Sequence, residues 1–552
     1  MSIPFRLPMH TFKDERKQRG AVLRVMSLAL MMVVAGVASL NVALPELARD
    51  TGATQTELQW IVDAYALVFA ALLLPAGAIG DRYGRKPLLA VGLVLFGVAS
   101  TVALFVDSPP ELIAVRATLG VAAAMVMPVT LSVITTIFPP EERGKAVGTW
   151  AGVAAGGAVI GLLASGVLLE WFSWQSIFIL NVVMAAVALA ATVVIVPQTR
   201  DEHPPRLDPV GTLFSMIGLA GIVFGTIEGP ERGWTDALTV AGLGGGLVSL
   251  AAFVAWELRL EEPMLDPRHF LNKAFSAGSL SIFVQFFAAF GFLFLALPYL
   301  QLVLDYSPLQ ASAALAPMAI VVIPLSRLAP SVSVHLGPRV TGATGLGLIA
   351  TSFLVVAGLD AGSSYWEFLL AIIPFGAGMA LSGAPATAVI VGSLPPEKQG
   401  VASAVNDVSR ELGGALGIAV LGSVMNDAYR SGMTDAAASL PPDAVEPATS
   451  SLAAAIAIGE KLGVEGQTLI AEAHWAFVDG LGKSMIVGAS ALVVGVLFVA
   501  LRAPGRSRQP HQATTQLATG ADSLDASTVP SAAASTSSRG LAEQTAPSGG
   551  GG

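Results

Sequence analysis

Residues Trp60 to Lys86 read W-I-V-D-A-Y-A-L-V-F-A-A-L-L-L-P-A-G-A-I-G-D-R-Y-G-R-K, an apolar run with one acid that ends in a glycine-rich charged turn. The apolar run from 57 to 80 is long enough to cross a bilayer and carries one acid in its course, Asp63. A carboxylate at the depth of a membrane helix costs about 2.5–3.5 kcal/mol by insertion scales, so such a residue calls for a function. The run ends in a turn built from Gly77, Asp81, Arg82, Gly84, Arg85 and Lys86. A short basic turn of this kind stays on the cytoplasmic side.

The rest of the chain agrees with a polytopic membrane protein. Hydrophobic residues make up 54% and charged ones 12%, with a mean hydropathy of +0.70, against about 25% charged in soluble domains. With no cysteine, disulfides and thiolate chemistry are excluded. The histidines (His10, His203, His269, His335, His474 and His511) all fall in tails or between apolar runs, which argues against an intramembrane metal site. No metal and no cofactor are expected. Nothing in the charge pattern points to nucleic acid.

Fourteen apolar runs have span length: 22–44, 57–80, 87–106, 110–136, 145–168, 174–197, 209–228, 237–257, 274–303, 310–331, 340–359, 366–391, 400–424 and 482–501. With the N-terminus inside, cytoplasmic segments collect 22 of the 30 Lys+Arg residues, so both termini are expected in the cytoplasm. Residues 1–21 read as a basic leader. The stretch 426–481 reads as a long acidic outer loop in which 448–462 and 465–478 have helix-compatible composition. From 503 to 552 the Ser/Thr/Ala/Gly/Pro-rich chain is expected to be disordered.

The turn Gly77-x-x-x-Asp81-Arg82-x-Gly84-Arg85-Lys86 matches the loop between spans 2 and 3 of the major facilitator superfamily at every charged and glycine position. Other stretches resemble its fourteen-span drug:H+ antiporter-2 branch, among them Asn41-Val-Ala-Leu-Pro45, Arg116-Ala-Thr-Leu-Gly120 and Leu412-Gly413-Gly414-Ala-Leu-Gly417. Gly157-Ala-Val-Ile-Gly161-Leu-Leu-Ala-Ser165-Gly166 is similar to the antiporter signature helix, with Leu162 in place of its proline. Trp60-Ile-Val-Asp63-x-Tyr65 and Asp407-Val-Ser-Arg410-Glu411 look most like exporters of quaternary ammonium compounds of the QacA type.

The resemblance implies an all-α fold of two six-span halves, 22–200 and 259–502, with two spans inserted between them in 201–258. It implies alternating access, with the turn Gly77–Lys86 as a cytoplasmic gate and Gly157, Gly161 and Gly166 as a packing seam. Acids of spans 2 and 13 match positions that bind protons and cationic drugs, here Asp63, Asp407 and Glu411. Those of spans 1 and 10 are replaced by Gly36 and Val322. Arg116 stands at the family's proton-linked arginine and is implied to tune a nearby acid.

The residues themselves support part of this. Burial disfavours the charged form of a carboxyl group, which lets Asp63 take up and release a proton as access alternates. Asp407 and Glu411 share a helix face and resist joint ionisation, and Arg410 between them can pair with either. Trp60, Tyr65 and Gln301 are the candidate wall of an aromatic cavity. Arg327 either lines that cavity, consistent with a zwitterionic or anionic cargo, or snorkels to the cytoplasmic face. The expectation is a proton-driven, monomeric exporter of amphipathic cationic or zwitterionic drugs in a bacterial-type inner membrane, and not an enzyme. A dedicated exporter of one natural product or antibiotic, or a transport-inactive receptor or scaffold with this fold, are the alternatives.

Overall fold

The computed structural model describes residues 12–200, 208–261, 263, 265–394 and 399–505. The first part of the basic leader and nearly all of the C-terminal tail, with Arg206 and Lys398, lie outside the described residues. Among the described residues all regular structure is helical. Six helices come first: α1 (Phe12–Thr51), α2 (Gln55–Tyr83), α3 (Arg85–Val102), α4 (Pro109–Ile137), α5 (Pro140–Trp171) and α6 (Ser176–Ile195). A pair follows, α7 (Pro209–Arg232) and α8 (Ala237–Glu257).

The second half consists of α9 (Lys273–Pro298) with a π-helical turn Tyr299–Val303, then α10 (Pro308–Ala314), α11 (Ala316–Leu336), α12 (Pro338–Ala357), α13 (Tyr365–Gly392) and α14 (Gln399–Ala437). Two short helices, α15 (Pro442–Ser450) and α16 (Leu452–Leu462), lead into α17 (Gly466–Arg502). Thirteen helical stretches among the described residues are long and apolar enough to cross a membrane, and α5 adds a shorter apolar stretch, Gly156–Trp171.

Local chemistry sets the helix ends that matter. Thr54 Oγ1 accepts from the Glu57 N–H at 3.2 Å while the Glu57 carboxylate accepts from the Thr54 N–H at 2.9 Å, a reciprocal cap that starts α2. The α2–α3 connection is the single residue Gly84, at φ 115°, a conformation that L side chains rarely adopt.

Helices α1 to α6 pack on one another, as do α9 to α14 with α17. The inserted pair packs face to face through glycines: a Cβ on Gly221 would lie 2.7 Å from the Gly242 carbonyl, and one on Gly246 2.8 Å from that of Gly218. Helix α7 then rests on both α2 and α14, bridging the halves.

Within the expected outer segment 426–481 the helix-compatible parts 448–462 and 465–478 are helical as read, and helix also extends beyond them. α14 runs on to Ala437, α17 begins at Gly466, and α16 packs against α1. Hydropathy detects only the part of a helix that meets lipid; these alanine-rich polar turns continue the helices beyond it. Tyr429 Oη donates to the Ala448 carbonyl at 3.1 Å, and Arg430 reaches Glu446 at 3.2 Å, which ties α15 to α14.

Candidate functional site

On α2, about two turns in from Gln55, Asp63 is fully buried (0% exposed), and neither carboxylate oxygen has a hydrogen-bond partner among the described residues. The α2 face that carries it, with Thr56 and Gln59, looks across at α14: Asn426 Nδ2 donates to Thr56 Oγ1 at 3.0 Å, and Gln59 lies against Gly422. Arg116 is also buried, but it does not balance Asp63. Its Nε donates to the Ile61 carbonyl at 2.9 Å and its guanidinium lies 4.4 Å from the Tyr65 ring centroid. Arginine is therefore held against the backbone and the aromatic ring two residues to either side of the acid.

The second cluster belongs to α14. Arg410 Nε donates to Glu411 Oε1 at 3.3 Å, and Arg410 Nη2 stands 3.7 Å from Asp407 Oδ1. The guanidinium lies 5.6 Å from the Phe286 ring of α9, and Nη2 reaches Met127 Sδ of α4 at 3.4 Å. Glu411 is buried, whereas the Asp407 and Arg410 side chains keep 13% and 21% exposure. The two clusters lie on helices that pack against each other, α2 and α14. One cation set against two acids leaves a single unbalanced negative charge when both are ionised.

Polar contacts joining the halves, among the described residues, are Gln301 Nε2 to the Val42 carbonyl at 2.9 Å, Asn426 to Thr56, and Arg410 to Met127. The first two lie toward the end where Gly52 connects α1 to α2. Gly166 of α5 adds to this closure: a Cβ there would lie 2.7 Å from Ser312 Oγ and 3.0 Å from the Leu309 Cα of α10. The molecule is thus closed at the Gly52 end. Gln301 serves that closure from its π-helical turn.

The turn of basic residues is engaged wholly within the first half. Asp81 Oδ1 accepts from Arg85 at 2.7–2.8 Å, Arg85 also donates to Thr136 Oγ1, and Lys86 Nζ donates to the Val193 carbonyl at 2.8 Å. A Cβ on Gly84 would overlap the Gln198 amide. Gly77 faces Pro128, and Arg82 is exposed beside Tyr83. Along α5, Gly157 and Gly161 meet Met31 and Ala35 of α1, with Cβ positions 3.0 and 2.7 Å from them.

Trp60 faces the inserted pair: its Nε1 donates to Glu228 Oε1 of α7 at 2.8 Å, and its ring stands 6.1 Å from that of Phe224. Arg327 lies on the exposed face of α11 beside Leu328, whereas Val322 packs toward Gly376 of α13. Gly36 faces Asn181 and Phe96 inside the first half. Sequence reasoning passed over Gln59, Asn426 and Glu228. The signal was there for Gln59, which precedes Asp63 by one helical turn on the same face.

Two helical halves meeting at a buried polar interface, with thirteen membrane-length helices and one shorter apolar helix among the described residues, define a multi-pass membrane transporter of the two-bundle kind. The family model "Major Facilitator Superfamily" matches residues 26–418, and the chain belongs to that family. It is 34% identical over 483 residues to the "Multidrug efflux pump LfrA" of Mycolicibacterium smegmatis, covering 86% of this chain and 95% of the relative. With the "Methyl viologen resistance protein SmvA" of Salmonella typhimurium it shares 32% over 494 residues, 88% and 99% of the two chains. A solved bacterial homolog of the human lysosomal transporter Spinster superposes with a TM-score of 0.62 at 20% identity, covering 88% of this chain and 97% of that one, which speaks to the fold.

Proposed function

We propose that this chain is a proton-coupled efflux transporter for amphipathic small molecules carrying one positive charge or a zwitterionic pair. On this reading it works as a monomer in a bacterial-type inner membrane, with both termini and the Gly84 turn on the cytoplasmic side and no cofactor. The observation that carries the proposal is Asp63, buried at the interface of the halves with both oxygens unpartnered. A carboxylate there would lack every balancing contact, so the neutral acid is the form this packing accommodates. The relatives in drug efflux and methyl viologen resistance support export as the direction and organic cations as one cargo class.

Cargo entering from the Gly84 end meets Asp407, Arg410 and Glu411, whose single excess negative charge suits one positive charge. Rocking of the halves about the midplane then carries it to the opposite face. Protons compete for the same carboxyl groups, and that competition couples the two flows. Exporting one positive charge against 100 mV costs about 2.3 kcal/mol, so at least two protons per cation are needed to draw on the potential. Asp63, Asp407 and Glu411 are the candidate carriers. When the Gly84 end closes, exposed Arg82 is the cation free to latch onto the second half, since Asp81 and Arg85 are satisfied within the first.

Inverted membrane vesicles holding a preset pH gradient test this reading. Ethidium should dissipate the gradient in vesicles bearing the protein, and Asp63→Asn should abolish that response while the protein still inserts. Undiminished response in the variant would remove Asp63 from the mechanism.

A further inference from the structure

We propose that Gln59 is a positioning residue for the proton step, and that with Thr56 and Asn426 it forms the port through which solution at the Gly52 end reaches Asp63. This rests on the reading of Asp63 as a proton carrier and adds to it the route and the residue that guards it.

Gln59 is completely buried, yet neither its amide oxygen nor its amide nitrogen has a partner among the described residues. Asn426, 1% exposed, uses Nδ2 on Thr56 Oγ1 at 3.0 Å and leaves Oδ1 unpartnered. With Asp63 this makes a stripe, Thr56, Gln59 and Asp63 at i, i+3 and i+7 along α2, in which the Gln59 amide and both Asp63 oxygens are unsatisfied. The protein makes room for it. A Cβ on Gly422, one turn from Asn426 on α14, would overlap the Gln59 amide nitrogen, so glycine there is what admits the side chain; Phe294 of α9 closes the notch.

Leaving buried polar groups without partners is costly, and the cost is relieved when α2 and α14 part and solvent enters. The order of contact follows from the register: Thr56 and Asn426 first, then Gln59, and Asp63 last. One turn from the acid, the amide of Gln59 can serve both of its forms. Its oxygen accepts from the O–H of the neutral acid, and its N–H donates to the carboxylate once the proton has left. Of the other charged groups nearby, Arg116 gives Nε to the Ile61 carbonyl and lies over the Tyr65 ring while its Nη2 is unpartnered, and Arg410 is paired with Asp407 and Glu411.

The test uses the full-length protein in proteoliposomes with ethidium as probe, comparing proton-driven transport with ethidium–ethidium counterflow at equal pH. Counterflow needs the halves to rock but no net proton cycle. For Gln59→Leu, proton-driven transport is expected to fall about tenfold or more, the weight of one hydrogen bond to a charged group, with counterflow within about twofold of the parent. Gly422→Ala, which displaces the amide without removing it, should show the same split and carries the test if the first variant does not fold. Equal loss in both assays, or loss in neither, overturns the port. Asp63→Asn separates the two levels. If it leaves proton-driven transport intact, the underlying reading fails; if it abolishes transport while Gln59→Leu does not, the port alone is wrong.

Discussion

Arg410 decides what net charge the α14 cluster presents. With its guanidinium between Asp407 and Glu411, one of the two acids is matched and one is left over. Arg410→Gln removes the match and sets two carboxyl groups one helical turn apart with no cation between them. The competition between methyl viologen, a dication, and ethidium, a monocation, should then shift toward the dication by about tenfold, the scale of one unit charge at partly screened range. An unchanged ratio of inhibition constants would show that the cluster does not read cargo charge. The sequence carried much of this site, since a spacing of four places Asp407 and Glu411 on one face whatever the tertiary structure. Which partner Arg410 takes could not be read, because pairing depends on the helices around it. Arg116 shows this from the other side: its position at helix depth is legible, but the Ile61 carbonyl and the Tyr65 ring that hold it belong to another helix.

Helix α5 makes two kinds of close approach, and they predict different failures. Gly161 meets Ala35 within its own half, so Gly161→Leu overpacks the α1–α5 seam and should cost stability by about 1–3 kcal/mol, seen as a lower Tm in detergent. Gly166 meets Pro308, Leu309 and Ser312 across the halves, at the closed Gly52 end. There Gly166→Ala should leave the Tm within a few degrees and instead favour opening at that end. With no native cysteine in the chain, maleimide labelling of a single Ser312→Cys, buried in this conformation, reads the opening directly. Faster labelling is expected when Gly166→Ala is added, and an unchanged rate would count against Gly166 as part of the closure. At this scale the sequence was most legible, because span length and apolarity are properties of each helix alone. What it missed is the run of α14 beyond the bilayer to Ala437 and the side on which a residue docks, whereas the helical part 465–478 that α17 contains was read from composition. Trp60 sits next to Asp63's turn but turns toward Glu228 of the inserted pair, because α7 occupies that flank of α2.

On the proposed cycle the closed Gly52 end of the molecule opens, and α2 and α14 part along Thr56, Gln59 and Asp63 when it does. Their contact is held by few polar groups, and several of those are unsatisfied, so the closed arrangement is poised against an open one in which water supplies the missing partners. A bridge across it should therefore arrest the protein in one conformation. Thr56→Cys with Asn426→Cys, at positions whose side chains now meet at 3.0 Å, can be joined by a short bifunctional thiol-reactive reagent such as a bis-methanethiosulfonate, or by oxidation. Joined protein should lose proton-driven transport and counterflow alike, and a reducible link should restore both on reduction. As a control, Gly97→Cys with Ala185→Cys joins α3 to α6 within one half, where an added Cβ would lie 3.4 Å from its neighbour, a separation a disulfide accommodates. Rigid rocking requires that link to be silent, since the halves move as bodies. If the control also stopped transport, helices within a half would have to move past one another, and rocking about a fixed midplane site would be the wrong description of how this protein works.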